Sequence, residues 1–197
     1  MSAAIAIAGV SAALKVMLTQ GLAAHRAGDV LGTLVTVAVG PPRTDGTAIA
    51  AKMPELCLFL YRVTENGALR NIEPPSRGMD PRTRHNPPLA LDLQYLLTTS
   101  GTSELQSEVL LGSALLTLSS SPVLRREAVQ TALFDAFGAL GVATLNDPLT
   151  ISLKNLDVDE LAPLWSALQA PFRASVTFQV SALMMEAASG EPVTTIG

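Results

Sequence analysis

The side chains able to carry out chemistry are few and scattered. The chain of 197 residues holds two histidines, His25 and His85, a single cysteine, Cys57, and 17 carboxylates. One cysteine permits neither an intrachain disulfide nor an all-cysteine zinc site, and the histidines have no partners at a metal-ligand spacing. Asp157, Asp159 and Glu160 gather negative charge, but not at the intervals of a 12-residue calcium loop, so capping of a helix start is the simpler account. No Gly-x-Ser-x-Gly elbow surrounds any serine. Val39-Gly40-Pro41-Pro42 follows an apolar run without the glycine spacing of a dinucleotide loop or the Gly-Lys-Ser/Thr ending of a triphosphate loop. Asp92 would serve as a general base only if a cleft held it, and an ion pair across a sheet or a subunit boundary is the alternative.

Arginine is the residue type with a distinctive distribution. Arg62, Arg70, Arg77, Arg82 and Arg84 form the most basic stretch of the chain. A guanidinium offers a rigid fork of donors to phosphate or carboxylate. No aromatic alternates with these arginines as a stacking platform for single strands would require, and Glu65, Glu73 and Asp80 dilute the charge, so contact with protein is favoured over nucleic acid. Arg173 and Trp165 complete the candidate contact residues, although Trp165, the single tryptophan, has Leu164 and Leu168 as helix neighbours, which favours the domain core over an intersubunit anchor.

The elements that must position these groups follow from apolar spacing. Residues 2–22 recur at threes and fours through Ile7, Val10, Leu14, Met17, Leu18 and Gly21, which predicts a helix ending near His25 to Asp29. Lys15 inside this run, and the lack of a basic residue before it, argue against a signal peptide, and no membrane insertion is expected. Strand-like alternation covers 35–39, then 56–61, where Cys57 acts as a small buried hydrophobe, and most clearly 89–97. There Leu89, Leu91, Leu93, Tyr95 and Leu97 oppose Ala90, Asp92, Gln94 and Leu96. The second and third of these strands are expected to pair antiparallel across a long Pro- and Gly-rich excursion ending at Pro88. Two helices follow, one over 104–118 with an apolar row of Leu111, Leu115 and Leu118, the other over 124–140 with Val129, Leu133, Phe137 and Leu140 on one face. Residues 149–154 read as a strand. Asp157 and Glu160 suit a capping box for a helix reaching Leu168, weakened by Pro163. Ala174, Val176, Phe178, Val180, Ala182 and Met184 then alternate with Ser175, Thr177, Gln179, Ser181 and Leu183 over one long strand.

The apolar fraction is 48 %, while aromatics are 4 % and charged residues 15 %, against roughly 25 % charged in ordinary soluble domains. That composition excludes a charged, disordered tail protein. The net charge is −4, which gives no general attraction to nucleic acid or anionic lipid. Residues 1–99 hold 9 Lys/Arg against 7 Asp/Glu and residues 100–197 hold 4 against 10, a split of +2 and −6 that would suit a head-to-tail oligomer. With no repeat and no composition break, we expect one α/β (α+β) domain over 1–190, a mixed, mainly antiparallel sheet flanked by helices, and a C-terminal tail over 191–197.

Three segments carry a family resemblance. Leu60-Tyr61-Arg62-Val63-Thr64-Glu65-Asn66 with Leu69-Arg70-Asn71 is the first, and Pro87-Pro88-Leu89-Ala90-Leu91-Asp92-Leu93-Gln94-Tyr95-Leu96-Leu97-Thr98 the second. The third is Leu164-Trp165-Ser166-Ala167-Leu168-Gln169-Ala170-Pro171-Phe172-Arg173-Ala174-Ser175-Val176, running into Gln179-Val180-Ser181. In order and spacing they resemble the cap, or tail terminator, proteins of bacterial extracellular contractile injection systems, which are phage-tail-like particles. The resemblance implies a non-catalytic structural protein without cofactors. It would close the distal end of the particle as a hexameric ring, with itself, the inner tube protein and the sheath protein as partners, after assembly in the cytoplasm. A baseplate or adaptor subunit of the same kind of particle, and a small hydrolase or nucleotide-binding enzyme with a site around His85 and Asp92, are the alternatives.

Overall fold

Three long runs of alternating apolar residues decide the architecture. The computed structural model describes residues 5–42, 53–69, 89–100, 103–138 and 148–185. The runs are β2 (Glu55–Glu65), β3 (Leu89–Ser100) and β6 (Ser175–Met185), and they are joined by β1 (Thr36–Val39), β4 (Val123–Leu124) and β5 (Leu149–Lys154). Together they make one six-stranded sheet in the order β1-β2-β3-β6-β5-β4. Among the described residues only β1 and β2 run parallel; every other pairing is antiparallel. The helices are α1 (Ala6–Ala24), α2 (Ala27–Leu31), α3 (Glu104–Ser120), α4 (Arg126–Phe137) and α5 (Val158–Ala167).

The expected pairing across the excursion is present, with Leu58 opposite Leu97 and Leu60 opposite Tyr95. Leu93, Tyr95 and Leu97 of β3 share one face with Leu56 and Leu58 of β2 and with Phe178 and Val180 of β6, and α1, α3 and α4 cover that face to form the core. Tyr95 stacks on Phe178 with ring centroids 5.4 Å apart, and Tyr95 and Ser11 of α1 share a hydrogen bond of 2.8 Å. That bond satisfies a hydroxyl which would otherwise be buried unpaired.

α1 is the element around which the core closes. By length and composition it is apolar enough to cross a membrane, but in this fold Val10, Leu14 and Leu18 are wholly buried against the sheet and its helices. Two glycines let neighbours approach its backbone. A Cβ at Gly9 would lie 2.5 Å from Leu133 Cγ of α4, and one at Gly21 would lie 2.7 Å from Thr117 Cβ of α3. The helix ends at His25; Arg26 turns into the left-handed region with φ 53°, and the short α2 closes on Gly32.

Several expectations shift by a turn or a residue. α3 buries Leu110, Ala114, Thr117 and Leu118 rather than a row through Leu115, because leucines occur all round this helix and the spacing leaves its rotation open. α4 ends at Phe137 before Gly138, short of the expected 140, and Phe137 is 47 % exposed instead of core. A two-residue strand, β4, includes Leu124, where the second helix is expected to begin, and α4 starts two residues later at Arg126. The capping box of α5 forms: the Asp157 N–H donates to Glu160 Oε2 over 3.3 Å, and Pro163 sits inside the helix without ending it. In β6 the strict alternation breaks. Leu91 pairs with Leu183 but Leu93 with Val180, so β6 carries an extra residue there. Ala182 adopts φ 71° at this bulge, and Leu183, expected on the polar side, turns into the core and is fully buried.

Two measurements test this packing. Gly9→Ala and Gly21→Ala should each lose about 1–3 kcal/mol in urea unfolding through overpacking, despite alanine's better helix propensity; a gain in stability for either would contradict the close approach. Burial raises the Tyr95 pKa from 10.0 to about 12. The unfolded chain therefore releases this proton first, and the stability it carries is complete below pH 10 and falls by about 1.4 kcal/mol per pH unit as pH rises from 10 towards 12. Tyr95→Phe should remove this component of the alkaline slope.

Candidate interaction surfaces

The sheet face opposite the core carries polar side chains in register. Gln94 lies opposite both Gln179 of β6 and Arg62 of β2, and Asp92 lies opposite Thr64. β2 has one extra residue here, Tyr61, whose hydroxyl donates to Gln94 Oε1 over 3.0 Å. Burial raises the Tyr61 pKa, partly offset by the Arg62 charge, with Glu160 of α5 acting in the same direction as burial. Arg62 itself is exposed on this face.

Asp92 is held by two donors. Its Oδ1 accepts 2.9 Å from Asn66 Nδ2 and 3.3 Å from the Ala182 N–H, which the β6 bulge releases from the ladder. Asn66 in turn accepts at Oδ1 from the Ala68 and Leu69 N–H groups, and its own N–H donates to the Ala90 carbonyl. One carboxylate thus ties the bulge on one side of β3 to the first turn of the excursion on the other. This arrangement is a hydrogen-bonded clasp, not an ion pair, and no general-base geometry surrounds it among the described residues.

Trp165 is 2 % exposed, with its ring 5.9 Å from that of Phe172. Its indole N–H and the Ser175 hydroxyl are buried without hydrogen-bond partners among the described residues. Phe172 is 61 % exposed, and with Arg173, Glu104 and Glu108 it lines a polar cleft of about 300 Å³ at the start of α3. The structure therefore brings Arg62 and Asp92 to one sheet face and sets Trp165 and Arg173 around Phe172, with no single constellation uniting the four. Arg70, Arg77, Arg82, Arg84 and His85, the loop at 43–52 and the tail at 191–197 lie outside the described residues. Among the described residues no cluster of three or more His, Cys, Asp or Glu side chains could hold a metal.

One surface went unforeseen. Ile7, Ala8 and Lys15 of α1, Phe137 of α4, Val39 of β1 and Leu60 of β2 line an open, largely apolar groove of about 640 Å³. Lys15 is its one charged group, and the cation makes no ion pair among the described residues. The sequence signal is a lone lysine, Lys15, in an apolar helix.

The domain family described as the Pvc16 N-terminal domain matches residues 9–195. The chain belongs to that family. No curated protein matches this Pvc16 N-terminal domain chain. Its fold is similar to two solved structures. One is from the sheath/tube terminator of the extracellular contractile injection system PVC in its extended state, with TM-score 0.52 and 18 % identity over 82 % of this chain and 54 % of that one. The other is from the anti-feeding prophage cap, described as its tube terminating cap, with TM-score 0.52 and 17 % identity over 82 % of this chain and 53 % of that one. The Pvc16 domain chain thus spans about half the length of the solved terminator chains it matches.

The Asp92 clasp yields a direct test. Asp92→Ala should cost about 1–3 kcal/mol in urea unfolding by stranding the Ala182 N–H and the Asn66 amide, and Asp92→Asn should cost less. Stability of the Ala variant within about 0.5 kcal/mol of the parent would show that the clasp is dispensable.

Proposed function

We propose that this chain is a structural cap protein that terminates the inner tube and anchors the last sheath ring of a contractile injection system, working as a hexameric ring and without catalysis. The observation that carries the reading is family membership over residues 9–195. The fold shared with two terminators, one of sheath and tube and one of tube, supports it.

The physical features suit the role. Termination by binding needs one face that accepts a polymer end and another that offers no further polymerising surface. Neighbouring ring members need two unlike patches, because a head-to-tail contact is heterologous. The chain offers an apolar groove bearing a cation and, built from different residues, a polar cleft bearing two glutamates. Load passed from sheath to cap is best shared among many contacts, which a rigid sheet with α1, α3 and α4 packed on its core face can supply. In this reading assembly takes place in the cytoplasm with the tube and sheath proteins as partners, and the cap sits at the distal end of the particle.

Native mass spectrometry and negative-stain microscopy of the protein mixed with its tube and sheath proteins should show six-membered rings. Particles assembled without it should have irregular lengths or detached sheaths. Monomers alone in the mixture, or closed particles of normal length without this protein, would contradict the cap assignment.

A further inference from the structure

The groove between α1 and α4 has the composition of a site for a protein segment. Phe137 is 47 % and Val39 49 % exposed around it, and Leu60 is half-buried at its base. Leaving such side chains in water forfeits the stabilisation their burial would give. Lys15 is exposed beside them and unpaired among the described residues. An apolar surface with, among the described residues, one unpaired cation at its rim is complementary to a segment that presents an apolar side chain flanked by carboxylates.

The same chain presents such a segment. At the start of α3, Leu105 is 72 % exposed, between Glu104 and, one turn on, Glu108. Both glutamates are exposed, and neither makes an ion pair among the described residues. Arg173 lines the adjoining cleft, so among the described residues the local charge is two acids against one base. This segment and the groove share no lining residue. They also fall on the two sides of the charge split, the groove largely in the half with +2 and the acidic segment in the half with −6. α3 holds the segment rigidly: the Ser103 hydroxyl accepts from the Gln106 N–H, and Thr99 of β3 donates to the Ser107 carbonyl over 3.1 Å.

We propose that the groove bearing Lys15 receives the Glu104, Leu105 and Glu108 segment of a second copy of this chain, forming the head-to-tail contact between subunits. The inference rests on the reading of the protein as a ring-forming cap and names the surfaces that close the ring. Leu105 enters the groove beside Phe137 and Val39. A glutamate, Glu108 foremost, pairs with Lys15. Each copy uses both patches at once, so the contact propagates around the ring without a two-fold interface.

Charge reversal on the full chain tests it, with assembly followed by sedimentation velocity and native mass spectrometry, and folding by circular dichroism. Lys15→Glu and Glu108→Lys are both surface changes and should leave the fold intact. Each alone should weaken self-association at least about tenfold. The double variant Lys15→Glu/Glu108→Lys should regain it, as should an equimolar mixture of the two single variants, in which unlike copies alternate. Unchanged rings in both single variants, or a folded double variant still deficient in assembly, would overturn the contact while leaving the cap reading in place. So would intact rings of Lys15→Glu that no longer bind the tube or sheath protein, because the groove would then serve that partner. A parent protein that never self-associates, even with tube and sheath present, would remove the cap reading and the contact together.

Discussion

The structure depends on how closely α1 lies against its neighbours. A 19-residue helix packed on the inner face of the sheet can bury Val10, Leu14 and Leu18 fully only if α3 and α4 approach its sides. Gly9 and Gly21 grant that approach, one to Leu133 and the other to Thr117. The same placement brings Ser11 to the Tyr95 hydroxyl at the centre of the sheet. It also leaves the outer flank of α1, with Lys15, facing the end of α4, which opens the groove. Core closure and surface chemistry therefore follow from one helix position.

A second constraint acts within the sheet. β2 and β6 each carry an extra residue against β3, and β3 supplies the side chain that meets each irregularity, Gln94 accepting from Tyr61 and Asp92 accepting from the Ala182 N–H. Through Asn66, the Asp92 clasp also fixes the first turn of the arginine-bearing excursion. Gln94 and Asp92 are thus structural fastenings for the strands.

Much of the framework was legible from spacing. The alternation in β2 and β3 predicted their antiparallel pairing, Asp92 was placed opposite the leucine face, and Asp157 with Glu160 marked the start of α5. What escaped had physical causes. A bulge adds a residue without changing composition, so nothing in Ser181-Ala182-Leu183 announced that Leu183 would turn inward. Leucines around α3 made its rotation undetermined until α1 and β3 were in place. Phe137 looked like core because a helix pattern cannot show where the covering partner ends. The groove joins residues from position 7 to position 137, and proximity of that kind has no signature along the chain.

The chain belongs to the Pvc16 N-terminal domain family and its fold is similar to those of two solved terminators, and its surface features give the proposed role a physical form: a rigid subunit with two unlike patches, one apolar and cationic, the other acidic. The proposed role makes a claim about position, and position can be observed directly. Cryo-electron microscopy of complete particles assembled with a labelled copy of this chain is the most direct measurement. The account requires density for the label at the distal end alone, beyond the last tube ring and in contact with the last sheath ring. Label at the baseplate, or distributed along the tube, would contradict it.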